Sequence, residues 1–204
     1  MNSLSTRDKI LSVCYRLFAD KGLNGVSVRE IAKECDVNVA AINYHFSSKE
    51  NLYLETIAQI LTEAEADIHN IYDSLEIKKT EDFAIKVFEH FLENSESLRT
   101  SFKLIISTEK YHEALGDDID RFKGPPGGEY FYRCLAYEIP EASEEDLQWG
   151  VRVLFTHVIH KAIIMCNHST CTSMQNLGLT DNLLREDIYR LIRIVKAEIT
   201  PQKK

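Results

Sequence analysis

Apolar residues along this chain recur in steps of three and four, the spacing that turns one face of a helix inward. No stretch alternates with period two for long enough to suggest a sheet. A first helix is expected from about Thr6 to Lys21, with Ile10, Cys14, Leu17 and Phe18 as its buried stripe. Gly22 and Gly25 end it and turn the chain. Ser27 and Glu30 have the spacing of a capping box and open a short second helix, whose inner face is Val28, Ile31, Ala32 and Cys35. Asp36-Val37 reads as a tight turn, and Asn38 as the cap of a third helix from about Val39 to His45. Ser47 and Glu50 repeat the capping-box spacing and predict a long fourth helix through Leu52, Ile57, Ile60 and Leu61 to about Ser74.

Further on, Phe83, Val87, Phe88 and Phe91 mark one helix, Ser95 to Ile106 another, and Glu129 to Tyr137 a third that stops before Pro140. Between them, Glu113 to Gly128 gathers glycines, prolines and four acids, and reads as a mobile loop. Ser143 opens a long helix with the stripe Leu147, Val151, Leu154 and Val158; the last helix carries Leu184, Ile188, Leu191 and Val195. Both stripes step by four, three and four, as in a helix that packs along one partner. They are expected to form the interface with a second copy, as a four-helix bundle across a two-fold axis. The fold class is thus all-α, with an N-terminal three-helix domain over residues 1–50 and a helical domain over residues 51–204.

Composition narrows the class further. The 204 residues are 44% apolar and 27% charged, a soluble globular balance. No apolar run approaches the roughly 18 residues of a membrane span, and the start is polar, so a cytoplasmic protein with no membrane partner is expected. Five cysteines are an odd count, and reduced thiols are the expectation, with Cys14 and Cys35 as small core residues. The net charge of −8 argues against a general nucleic-acid binder, yet it is unevenly spread. Residues 1–50 hold seven Lys/Arg and six Asp/Glu, a net of +1, and the remainder holds 17 and 26, a net of −9. The acidic part is repelled by phosphate and is expected to face away from any DNA.

The stretch from Ser27 to Phe46 reads SVREIAKECDVNVAAINYHF, two short helices joined at Asp36-Val37 as a helix-turn-helix. Ala32 is small where the helices cross, and Ile31, Val37 and Ile42 are apolar where the pair must pack on the first helix. Asn38, Ala40, Ala41, Asn43, Tyr44 and His45 remain on a polar or small-residue face, slim enough for a major groove. Lys49 stands at the positive end of the fourth helix, where a phosphate is favoured. Val37 to Leu52, VNVAAINYHFSSKENL, together with ILSVCYRLFADKG and SVREIAK before it, resembles the signature of the TetR family of bacterial repressors. The resemblance covers about the first quarter of the chain. One departure is Asp36, where the family usually has Gly; Asp tolerates the left-handed conformation better than most residues.

The resemblance implies a homodimer that binds a palindromic double-stranded DNA operator and is released by a small-molecule effector. It also implies that Ser27, Arg29, Asn38, Ala40, Tyr44, His45 and Lys49 line the DNA. Chemistry assigns Ser27, Tyr44 and Lys49 to phosphates, and Arg29, Asn38, Ala40 and Asn43 to bases, with Ala40 against a thymine methyl. Asn43 reads equally as a capping or packing residue, and His45 as packing on the fourth helix.

Phe88, Phe91, Phe102, Tyr111, Phe131 and Tyr132 each read as core, and as a group as the lining of an effector pocket, to which His157 and His160 can add polar atoms. Cys166, His168 and Cys171 have a spacing compatible with zinc or a thiol sensor but lack an evident fourth ligand, so no metal and no cofactor is expected. Asp117, Asp118 and Asp120 lack the glycine and glutamate of a calcium loop. An enzyme on a helical bundle is the main competing class. Glu109-x-x-His112 occurs once, where a di-iron bundle repeats that motif, and phosphate-loop, dinucleotide and nucleophile-elbow motifs are lacking. A dimerisation or adaptor protein is the second alternative.

Overall fold

The computed structural model describes residues 5–108, 127–165, 172, 173, 176 and 180–201. Tyr111, the Glu109/His112 pair, the 117–120 acids, most of the expected loop at 113–128 and the Cys166/His168/Cys171 set lie outside the described residues. Among those described, the regular structure is helical: α1 (Thr6–Lys21), α2 (Val28–Glu34), α3 (Val39–Phe46), α4 (Lys49–Asp73), α5 (Thr80–Glu93), α6 (Ser95–Ser107), α7 (Gly128–Glu138), α8 (Glu144–Met165) and α9 (Asp181–Ile199). The chain divides into two compact units, Met1–Thr62 with Arg99–Ile119, and Glu63–Leu98 with Asp120–Lys204. The division therefore falls within α4 and α6 rather than at the start of α4.

In the first unit, caps fix where each helix begins. The Ser5 hydroxyl accepts from the Asp8 amide (3.2 Å) and starts α1. Gly22, at φ +68°, ends it. Ile10, Leu11, Cys14 and Phe18 of α1 meet Ile31 and Cys35 from α2 and its C-cap, Ile42 and Phe46 of α3, and Leu52, Tyr53 and Ile57 of α4 in one buried cluster. Leu17, expected in the stripe, is only partly buried at its edge. Leu104 of α6 completes this core, and Tyr15 shares a hydrogen bond with Ser101 at 3.1 Å. Burial pushes the Cys14 thiol up to about 12, with Cys35 adding to the effect, so this is a packed, unreactive thiol.

The second unit is built around α8, which packs against α5, α7 and α9. Gly150 permits the close approach: a Cβ there would stand 3.1 Å from both Leu135 of α7 and Val195 of α9. Phe83, Phe131 and Phe155 stack edge to face, with ring centroids 4.8 and 6.2 Å apart. The stripes expected at a dimer interface are largely buried within the chain. Leu147, Val151, Leu154, Val158, Leu184, Ile188 and Val195 are buried inside a single chain, and only Leu191 is partly exposed. A four-three-four stripe identifies a buried face and says nothing of whether the neighbour is the same chain or another.

A polar clasp closes this unit. The Lys196 ammonium donates to Glu81 (2.7 and 2.8 Å) and to Glu138 (2.8 Å), while the other Glu138 oxygen accepts from the Thr80 amide (3.0 Å) and hydroxyl. Burial pushes the Glu138 carboxyl up, but Lys196 and the Thr80 donors outweigh it and hold the group below the ordinary glutamate value. A depressed folded-state value means stability that is present above the unfolded value, near 4.3, and lost as pH falls towards the folded one. Thermal unfolding is expected to show that acid-side loss, and Glu138→Gln is expected to flatten it. Lys196→Met leaves two facing carboxylates without their cation and is expected to lower stability by about 2–3 kcal/mol at neutral pH.

Candidate nucleic-acid interface

The helix pair α2–α3 is set by its own backbone chemistry. The Ser27 hydroxyl accepts from the Glu30 amide at 3.2 Å, half of a capping box. The other half is absent because the Glu30 carboxylate pairs with Lys21 at the end of α1 instead. That contact lowers the Glu30 value and raises that of Lys21. Asp36 takes φ +51° in the turn, as expected of an Asp standing where the left-handed conformation is needed. Asn38 accepts from the Ala40 amide at 2.9 Å and starts α3. Ser47, at φ +62°, ends α3. The cap of α4 is therefore Ser48, not Ser47: the Ser48 hydroxyl accepts from Asn51 (3.0 Å), and its carbonyl from Leu52 (3.1 Å).

This geometry divides α3 cleanly. Ile42 and Phe46, one turn apart, are buried, while Ala40, Asn43 and Tyr44 face outward. Tyr44 is 85% exposed, so its ring and hydroxyl are available to another molecule. Ser27, Arg29 and Asn38 are exposed, and His45 is half-buried edge-on to Tyr44, with ring centroids 5.2 Å apart. Asn38 spends its side-chain oxygen on the cap, which leaves its amide group for any further contact. Lys49 departs from expectation. Its ammonium does not stand free for a phosphate but donates to the carbonyls of Leu23 (2.8 Å) and Val26 (3.1 Å). Arg7, which the sequence did not single out, pairs with Glu55 and lies 5.5 Å over the Phe46 ring, bracing the end of α3.

Among the described residues, those expected to line an effector pocket take different settings. Phe88, Phe91 and Phe131 are buried in the second unit, Phe131 packed against Phe83, whereas Phe102 belongs to the first unit. Tyr132 donates to Glu144 at the surface. His157 and His160 instead line an open cleft of about 490 Å³ with Trp149, Arg152, Val153, Thr156 and Leu191. Burial, reinforced by the Lys161 ammonium, holds the His157 imidazole below its ordinary value. Its Nε2 is buried without a hydrogen-bond partner among the described residues.

Residues 10–56, which contain most of α1, all of α2 and α3, and the start of α4, match the family described as bacterial regulatory proteins, tetR family. The family match is confined to this N-terminal segment. It is 48% identical over 56 residues to the probable HTH-type transcriptional regulator YttP of Bacillus subtilis, a match covering 28% of this chain and 27% of that protein. It is 35% identical over 51 residues to IcaR, the negative transcriptional regulator of the biofilm operon icaADBC in Staphylococcus aureus, covering 25% and 27%. The chain thus spans about a quarter of the length of these two relatives. A TetR-family structure from Shewanella superposes over 98% of this chain and all of that one, with a TM-score of 0.67 at 16% identity, which establishes the shared fold. These relatives are described as transcription regulators, not enzymes. No helix among the described residues is long and apolar enough to cross a membrane.

Asp36→Gly removes a side chain from a left-handed position in the turn. It is expected to raise stability by up to about 1 kcal/mol, read as a higher melting temperature. An unchanged or lower value would mean that the Asp36 side chain stabilises the turn in its own right.

Proposed function

We propose that this protein is a cytoplasmic transcriptional regulator, acting as a repressor, that binds a palindromic operator as a homodimer and is released by a small-molecule effector. The observation that carries the reading is the outer face of α3. Ala40, Asn43 and Tyr44 project from a helix whose other face is locked in the core, within the segment that matches the family. Ala40 is slim enough for contact with a thymine methyl, and Asn43 offers the donor and acceptor pair that an adenine edge accepts. Ser27 and Tyr44 supply hydroxyls for phosphates, and Arg29 and His45 flank them. IcaR, a relative in this segment, is described as a negative regulator, which favours repression.

The partner copy is assigned to the outer faces of α8 and α9, since the inner stripes are already buried. Trp149 is 38% exposed and Ile194 56%, and Leu191 lies at the cleft beside His157. A second copy would cover these apolar groups. The effector acts by differential affinity for two states of the dimer, on the order of 1–3 kcal/mol of coupling, through α4, whose residues contribute to both units.

Selection from a random-sequence duplex library at near-physiological salt is expected to return one palindrome, and Tyr44→Ala to weaken its binding by about ten- to a hundredfold without changing the dimer. No enrichment by a folded dimer would sink the DNA reading. Ile194→Glu is expected to sediment as a monomer; an unchanged dimer would move the interface elsewhere.

A further inference from the structure

Lys49 is the first residue of α4, a 25-residue helix. A cation there faces the positive end of the helix dipole, an unfavourable place for it unless another group supplies negative charge. A phosphate is one such source. The structure holds another: the carbonyl oxygens of Leu23 and Val26, at 2.8 and 3.1 Å from Nζ. Both belong to the connection between α1 and α2. Two of the three ammonium protons are thus committed within the chain, in a half-buried setting.

That connection needs a fastening. It leaves α1 through Gly22 at φ +68°, and at Gly25 it folds so closely onto α1 that a Cβ would stand 2.1 Å from the Lys21 carbonyl oxygen. Val26 is buried, and the next residue, Ser27, caps α2. The position of the Val26 carbonyl therefore sets where Ser27 and the first turn of α2 stand. Lys49 ties this carbonyl to the start of α4, only three residues beyond the end of α3. A single ammonium thereby joins the entry to α2 with the exit from α3, the two ends of the helix-turn-helix.

We propose that Lys49 serves DNA recognition as a positioning residue, fastening the α1–α2 connection to α4 and so fixing Ser27 at the head of α2, rather than as a phosphate ligand. The inference rests on the DNA-binding reading above. It differs from phosphate contact in a measurable way. A phosphate ligand contributes about −0.9 to the slope of log K against log salt, and a fastening contributes nothing to it.

The test uses the full-length wild-type chain, Lys49→Met and Lys49→Gln on the duplex that the wild type selects, titrated over a range of salt. Amide exchange at Ser27 to Glu30 is measured in the free proteins. Lys49→Met is expected to lose roughly tenfold in affinity with an unchanged salt slope, and to exchange faster at those amides. Should Lys49→Met not fold, Lys49→Gln carries the same expectation with a smaller loss. A slope shallower by about 0.9 with unchanged exchange would overturn the proposal in favour of a phosphate contact. Unchanged affinity and exchange would overturn it as well. A wild-type chain that selects no DNA would bring down the functional reading instead. The fastening would then stand if exchange quickens in Lys49→Met and fall if it does not.

Discussion

An eight-residue helix is too short to hold itself together in water, so the recognition surface depends on what anchors α3. Ile42 and Phe46 are that anchor. Their burial, at about 1.5–3 kcal/mol each, is gained only when α3 lies against the cluster that α1, α2 and α4 supply, with its opposite face turned out. The packing that stabilises the helix and the presentation of Ala40, Asn43 and Tyr44 are therefore one event. Phe18 against Tyr53, at 5.1 Å between ring centroids, and Arg7 over Phe46 extend the anchor to the helices on either side.

Around this anchor, polar contacts define the ends. Ser27, Asn38 and Ser48 each satisfy an amide at a helix start, Asp36 and Ser47 turn the chain in left-handed conformations, and Lys21 and Lys49 pin the α1–α2 connection from both sides. These contacts are individually small, but they act on backbone direction, which is what aims a short helix. The second unit follows a similar division of labour. Its apolar stripes and Gly150 set how closely the helices approach, and Lys196 bridges Glu81 and Glu138 across three of them.

Much of the first unit was legible in the sequence because its signals are local. The Ser27 and Asn38 caps, the Asp36 turn and the limits of α1 each depend on residues within one turn of each other. Two adjacent serines defeated the same logic at α4: spacing favoured Ser47, whereas its left-handed backbone places it outside the helix and leaves the cap to Ser48. The contacts of Lys49 were not legible for a different reason. Its partners lie 23 and 26 residues earlier, and no local pattern announces a side chain reaching that far. The stripes of α8 and α9 are largely buried within one chain, which the sequence could not tell from burial against a second copy, because periodicity reports burial and not its source. The same holds for the aromatics: Phe88 and Phe131 are buried, and sequence alone does not distinguish a core side chain from one that lines a pocket.

Contact between the exposed face of α3 and DNA is tested most directly by hydroxyl-radical footprinting of the chain. Tyr44 is 85% exposed and Tyr137, in the second unit, is 70% exposed, so both react freely in the unbound protein. With a selected duplex bound, Tyr44 is predicted to become protected while Tyr137 reacts as before. Equal labelling of Tyr44 with and without bound duplex would contradict the account.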